Sequence, residues 1–421
     1  MVERAPEKVF LVGVTNRATP RALAEEHLDE LERLLDTAGG VEVARFVKER
    51  AAPDPATFVG KGAVEEIGAV AADERAKLVV FDEELTPAQT RNLEKHWDGV
   101  RVLDRPGLIL DVFAAHARTR EARTQVELAR LQYLLPRLAG RYERLSGLRG
   151  GIGARGGAVE QKLELDRRKI RDRIARLRRD LEKIETAREV RRRGRKDRFH
   201  VAIAGYTNAG KTTLFNRLTQ AHEYAADRLF ATLDSRAAHG SSPALRDVVF
   251  LDTVGFVRKL PPGLVASFRS TLAEIRDADL VLQVLDSSSS RVDEERRVAS
   301  EVLAELGVPE EKVLTVWSKR DLPGPLGPAG AVRVSATTGA GIGDLERAIL
   351  LRARPETARM RLAIPYGDGR AIAAARARCR VIGEQDRGDA LVLTVAGERS
   401  RLGALSRYLV EEAGEAAAAG G

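Results

Sequence analysis

One cysteine, Cys379, stands in 421 residues. No internal disulfide can form, and a reducing compartment is expected. The ordinary role of such a lone thiol is that of a small buried hydrophobe. No apolar stretch approaches the roughly 18 residues that a membrane span needs, and the opening MVERAPEKVF lacks the apolar core of a secretory leader. A cytoplasmic protein with no membrane span is therefore expected. What is present, 43% hydrophobic and 31% charged residues, describes a globular chain and excludes a disordered one. Its length exceeds one ordinary core and predicts two to four domains.

Net charge is also missing from most of the chain. Residues 160–198 hold 17 lysines and arginines against nine acidic residues, which accounts for the whole formal excess of +8; the remainder is neutral. Such concentration is a footprint for phosphate-rich partners. A solvated helix face is the ordinary alternative for a charge run. The arginine-heavy composition and the closing RRRGRKDR weigh against it.

The pattern along the chain predicts a multidomain α/β protein. Residues 1–120 form an N-terminal α/β domain, with strands VFLVGV (9–14), VEVARFV (41–47), KLVVFD (77–82) and VRVLD (100–104) in a small parallel layer. FVGKG (58–62) reads as a turn and helix start, since it lacks the GK[ST] ending of a phosphate loop. Over 121–198, Leu128, Leu131, Leu135, Leu138, Tyr142 and Leu145 step by three and four; Leu163, Ile170, Ile174, Leu177, Leu181 and Ile184 continue the seam. Two narrow apolar stripes predict an antiparallel helical hairpin. Its tip, residues 147–157, carries Arg149 and Arg155 among glycines that let a backbone approach phosphates closely; a plain linker is the alternative. Buried-type strands return over 199–354: FHVAIAG, DVVFLD, DLVLQVLD, EKVLTVW and AVRVSA, in a mainly parallel sheet. Residues 355–421 predict a small C-terminal α+β unit of order β-α-β-β-α, its last helix over RSRLGALSRYLVEEAG, and a frayed tail.

GYTNAGKTT (205–213) follows a strand and opens a helix in the form G-x-x-x-x-G-K-[ST]. Gly205 and Gly210 let the backbone wrap a β-phosphate, with Tyr206, Thr207, Asn208, Ala209 and Thr213 completing the loop. Lys211 reaches the β/γ-phosphates and Thr212 offers a hydroxyl to Mg²⁺. In DTVGF (252–256), Asp252 is the second metal-side acid, acting through water. Thr253, Val254 and Gly255 follow, and Gly255 can swing its amide to a γ-phosphate. Thr232 of LFATLD lies between these motifs, in the order of a switch that closes over Mg²⁺. SKRD (318–321) chooses the base: Asp321 accepts from the guanine ring N–H and amino group together, a pattern adenine lacks. Lys319 lays its stem along the base. Ser335 and Ala336 of SAT (335–337) bring a backbone amide to the guanine carbonyl.

These motifs in this order resemble the translation-factor class of P-loop GTPases. Upstream, DPATFVGKG (54–62), GLILDVFAAHARTREARTQVELARLQYLLPRL (107–138), GGIGARGG (150–157) and LDRRKIRDRI (165–174) are similar to the HflX family, so that the resemblance covers nearly all of residues 8–354. It implies a GTPase that turns GTP into GDP, binds the large ribosomal subunit and its rRNA, and splits or rescues ribosomes under translation stress; a monomer is expected. Members are also reported to bind and hydrolyse ATP. Two departures stand out. GGAVEQKLE (156–164) replaces a GPGETQLE-type stretch, and Ser318 replaces an asparagine, whose bonds a hydroxyl makes only in part. Phe256 stands where many relatives place a water-orienting glutamine, which predicts slow hydrolysis by the isolated protein. Activation by the ribosome is expected, with K⁺ at Asn208 as an additional route. The rival functions are an ATP-driven RNA-remodelling enzyme acting on rRNA and a diverged ribosome- or RNA-binding protein without splitting activity.

Overall fold

The computed structural model describes residues 6–97, 99–138, 156–193, 198–221, 230, 236–259, 269–325, 327–353, 358–397 and 403–412. Contacts divide the chain into two compact units, Met1–Ile342 and Gly343–Gly421.

The first unit begins with β1 (Glu7–Thr15), β2 (Gly40–Glu49), β3 (Leu78–Phe81) and β4 (Arg101–Asp104), in the order β2-β1-β3-β4 with every pairing parallel. The expected α/β layer is present. Helices α1 (Arg21–Thr37), α2 (Lys61–Asp73) and α3 (Pro87–His96) make the crossovers, and α4 (Arg105–His116) follows β4. Local chemistry sets their starts. Thr86 and Gln89 form a reciprocal capping box with Pro87 in the first turn of α3, and Asp104 caps α4 by accepting from the Gly107 amide. The period of two in β1 sends Phe10 and Val12 to one core, with Ile67, Leu93 and Trp97. Val9 and Leu11 face another, with Leu28 and Leu31 of α1. That second core runs on without a break into the nucleotide domain, taking in Tyr206, Phe256 and Ile275. The rings of Phe113 and Phe230 meet edge to face at 4.4 Å.

Helix α5 (Arg120–Leu134) pairs with the 38-residue α6 (Gly156–Arg193). Leu128, Ile174 and Leu177 form the buried seam, flanked by Leu131, Leu135, Ile170 and Leu181. These are the residues whose heptad spacing predicted it. Arg173 adds a two-pronged ion pair to Glu127 at 2.7 and 2.8 Å.

The nucleotide domain is a six-stranded sheet of order β10-β9-β8-β5-β7-β6. Strands β5 (Phe199–Gly205), β7 (Val248–Asp252), β8 (Leu280–Asp286), β9 (Val313–Ser318) and β10 (Val332–Arg333) are parallel. β6 (Arg236–His239), an edge strand the pattern did not signal, runs antiparallel to β7. Helices α7 (Lys211–Thr219), α8 (Arg269–Asp277) and α9 (Val292–Glu305) connect them, and α10 (Ile342–Ala353) follows β10. Strand order switches sides at β5, with β7 on one side and β8 on the other, and because these strands are parallel the loops after β5, β7 and β9 gather at the carboxyl edge where open α/β sheets place ligands.

The second unit holds β11 (Ala358–Pro365), α11 (Gly369–Arg378), β12 (Arg380–Asp386), β13 (Ala390–Gly397) and β14 (Leu409–Glu412), in an antiparallel sheet of order β12-β13-β11-β14. Met360, Leu362 and Ile364 pack against Ala371 and Ala375 of α11, with Cys379 buried among them. The expected last helix is corrected here. Gly403–Tyr408 is a 3₁₀ turn and Leu409–Glu412 is a strand. The open edge of β11 needs hydrogen-bond partners that a helix could not supply, and pairing overrides the local helical pattern.

Candidate active site

β5 delivers the phosphate loop from the buried centre of the sheet. Gly205 sits at φ +149°, and a side chain there would collide with the Val284 carbonyl of β8. Asn208 and Gly210 also take positive φ, 63° and 87°, and the turn opens α7 at Lys211. These angles curl the loop around one point at a helix N-terminus, a geometry suited to a phosphate. Lys211 is buried and its Nζ donates to the Tyr206 carbonyl at 2.6 Å. Burial lowers its pKa to about 8, against the opposing pull of Asp252 and Glu295.

The Thr212 hydroxyl donates to Asp252 Oδ2 at 2.8 Å. A hydroxyl and a carboxylate side by side fit a hard cation such as Mg²⁺. Among the described residues no three acidic, His or Cys side chains could hold a metal together, so remaining ligands would come from a nucleotide and water. Thr253 Oγ1 bonds the Ile203 carbonyl of β5 at 2.7 Å, anchoring the start of the DTVGF loop. Val254 is buried. Gly255 lies hard against the phosphate loop: a Cβ on it would fall 2.7 Å from Thr207 Cγ2 and 3.0 Å from Lys211 Nζ. Phe256, 1% exposed, is a core residue. Its amide donates to the Gly205 carbonyl at 2.9 Å, and its carbonyl accepts from the Thr207 amide at 2.7 Å. A ring in that position orients no water.

The base loops converge from the next strands. Ser318, at the end of β9, aims its hydroxyl at the carbonyls of Ala209 (2.7 Å) and Leu285 (2.9 Å). Lys319 adopts φ 55° and pairs with Asp286 at 2.7 Å. The Ser335 hydroxyl first, then the backbone amide of Asp321 itself and the Thr337 hydroxyl, hold the Asp321 carboxyl below its ordinary pKa, keeping it an acceptor. Ser335 itself is buried, and Ala336 follows at the half-buried rim.

Family comparisons agree with this geometry. Residues 25–114 match the description "GTP-binding GTPase N-terminal", 116–195 "GTP-binding GTPase Middle Region" and 200–319 "50S ribosome-binding GTPase". A protein from Lacrimispora saccharolytica named GTPase HflX is 45% identical over 80% of this chain and 81% of its own. Another of that name from Magnetococcus marinus is 38% identical over 97% and 96%. The chain is a GTPase of the HflX family. A solved GTP-binding protein from Sulfolobus solfataricus, in complex with GDP, is 25% identical over 83% of this chain and 99% of that chain, with a TM-score of 0.43.

For this HflX-family chain, the fold brings Gly205 to Thr213, Asp252 to Gly255, Ser318 to Asp321, and Ser335 and Ala336 to one edge. Thr232, Arg149 and Arg155 lie outside the described residues. Among those residues, no helix is long and apolar enough to cross a membrane.

Sequence reasoning missed a buried charge cluster behind the phosphate loop. Arg105, fully buried, reaches Asp82 at 2.7 Å and Glu30 at 2.6 Å. Tyr206 donates its phenol to Glu30 at 2.8 Å and accepts the Arg258 amide at 2.9 Å. Arg258 Nη2 bonds both oxygens of Asp82, at 2.9 and 2.7 Å. Burial alone would raise the Asp82 pKa, but Arg105, Arg258 and Lys259 outweigh it and hold the carboxyl well below its ordinary range. A motif could not have signalled this cluster, because its members are scattered over the chain.

Proposed function

We propose that this GTPase binds the large ribosomal subunit and its rRNA, and acts as a nucleotide-controlled ribosome-splitting or rescue factor in the cytoplasm. The supporting observation is the seating of α6. Its apolar seam is buried on α5, which leaves Arg168, Arg171, Arg176, Arg178 and Arg179 exposed on a stiff stalk. A rigid basic stalk suits a surface of phosphates. The description of the match over residues 200–319, a 50S ribosome-binding GTPase, points to the same partner. At the tip, Arg149 and Arg155 are the proposed rRNA contacts.

In the reaction, the loop from Tyr206 to Thr213 cradles the phosphates with those of its amides that are not bonded within the protein, and Lys211 neutralises their charge. Mg²⁺ would be held by Thr212 and Thr232, with Asp252 acting through water, and would offset charge on the phosphates when bound. Gly255 presents its amide to the γ-phosphate. Asp321 and Lys319 select guanine, with the Ala336 amide on its carbonyl, and Ser318 braces the phosphate loop. With Phe256 in the core, attacking water must be ordered from outside, by the docked ribosome and by K⁺ at Asn208. Sedimentation with large subunits in GTP, GDP, ATP and a non-hydrolysable GTP analogue tests this. Cosedimentation strongest with the GTP analogue is expected, weakened and less salt-dependent when Arg149 and Arg155 become alanine. Nucleotide-independent or absent cosedimentation would refute it.

A further inference from the structure

The buried cluster joins the N-terminal α/β layer to the phosphate loop and to the exit of the DTVGF loop. On one side stand Glu30 in α1, Asp82 after β3 and Arg105 opening α4, all in the N-terminal α/β layer. On the other stand Tyr206 in the phosphate loop and Arg258, three residues beyond Gly255. The side chain of Arg258 is gripped by Asp82. Its amide is held by Tyr206, and its carbonyl accepts from Arg105 Nε at 3.1 Å. Lys259 also reaches Asp82, at 3.5 Å. So the exit of the DTVGF loop is clamped by side chain and backbone alike.

The same loop is zipped onto the phosphate cradle. Thr207 spends its amide on the Phe256 carbonyl, and Gly255 stands against both Thr207 and Lys211. A γ-phosphate contacted by Lys211 and by the Gly255 amide needs the space between them. Opening that space shifts Gly255, and Arg258 is too close along the chain to stay where it is.

We propose that the Asp82–Arg258 pair, with Glu30 and Tyr206, is a latch by which the N-terminal sheet holds the DTVGF loop over the phosphate loop and so opposes the γ-phosphate specifically. The inference rests on the reading of residues 205–213 as the phosphate site. GDP, lacking the third phosphate, leaves the latch closed; GTP and the latch compete. By reciprocity, whatever loosens the N-terminal sheet from Arg258 favours GTP, and GTP loosens the sheet. The latch thus links the nucleotide to the part of the chain that carries the helical stalk.

Two measurements on the full-length chain decide it. The first is the affinity of Arg258→Gln, and of Asp82→Asn, for GDP and a non-hydrolysable GTP analogue. The analogue should gain about tenfold over GDP, within the usual range of coupling between sites. An unchanged ratio in a variant that melts like the parent overturns the latch. The second uses the unmodified protein and so does not depend on a variant folding: hydrogen exchange of the Thr207 and Arg258 amides with each nucleotide. Faster exchange of the Arg258 amide with the analogue than with GDP supports the latch, and equal protection overturns it. Failure of the unmodified protein to bind either nucleotide would instead overturn the phosphate-site reading beneath.

Discussion

The Ser318 hydroxyl donates to the Ala209 carbonyl across 2.7 Å, tying the end of β9 to the phosphate loop. Ser318 is 3% exposed and its oxygen also lies 2.9 Å from the Leu285 carbonyl. The residue that departs from the family pattern thus packs against the loop proposed to hold phosphates, turned away from the proposed base rim. Ser318→Ala should strand buried acceptors and weaken GTP and GDP alike, by about fivefold to tenfold, in keeping with roughly 1 kcal/mol for such a bond. Equilibrium binding of the two nucleotides measures it; a change confined to one of them would contradict the bracing role.

Asp321→Asn should act on the base alone. The amide replaces one acceptor by a donor, so a ring carbonyl in place of the guanine amino group becomes the better partner. Preference is expected to move from guanine to xanthine nucleotides, with loss of guanine discrimination on the order of 100-fold or more, as for sites built around a hydrogen-bonding pair. Competition between GTP and XTP reads the outcome.

Lys211 should make nucleotide binding sensitive to pH. Its pKa is about 8 in the folded chain, and phosphates bound beside it would raise that value again. Above about 8, binding therefore takes up a proton and affinity falls as pH rises. Calorimetry in buffers of different ionisation heat should register the uptake. Folding runs the other way. The depressed value means the unfolded chain holds more protons between about 8 and the ordinary 10.5, so this group's contribution to stability improves with pH across that window.

Phe256 acts as packing. Phe256→Ala should destabilise by about 3–5 kcal/mol, the usual loss for a buried ring. Phe256→Leu should keep most of the core, and its basal turnover should stay within about twofold of the parent, since it removes far less buried volume than truncation to alanine. A large fall in turnover for the leucine variant, at unchanged melting temperature, would give the ring a role in the reaction.

The legible parts of this protein are those written in contiguous or evenly spaced residues. GYTNAGKTT specifies its own loop because two glycines, an asparagine and a helix start bend nine residues around one point. The seam of Leu128, Ile174 and Leu177 follows from helical periodicity, and the parallel strands from short apolar runs bounded by turns. Where two elements compete for the same residues, the pattern fails. Leu409–Glu412 reads as helix and becomes a strand because the β11 edge offers it hydrogen bonds. Phe256 reads as part of a catalytic loop, yet lies in a core shared with the N-terminal sheet. The ion pair between Asp82 and Arg258 joins residues 176 apart. No local preference brings such groups together. Their pairing follows from the docking of one sheet on the other, since charges removed from water must find partners wherever the fold has placed them.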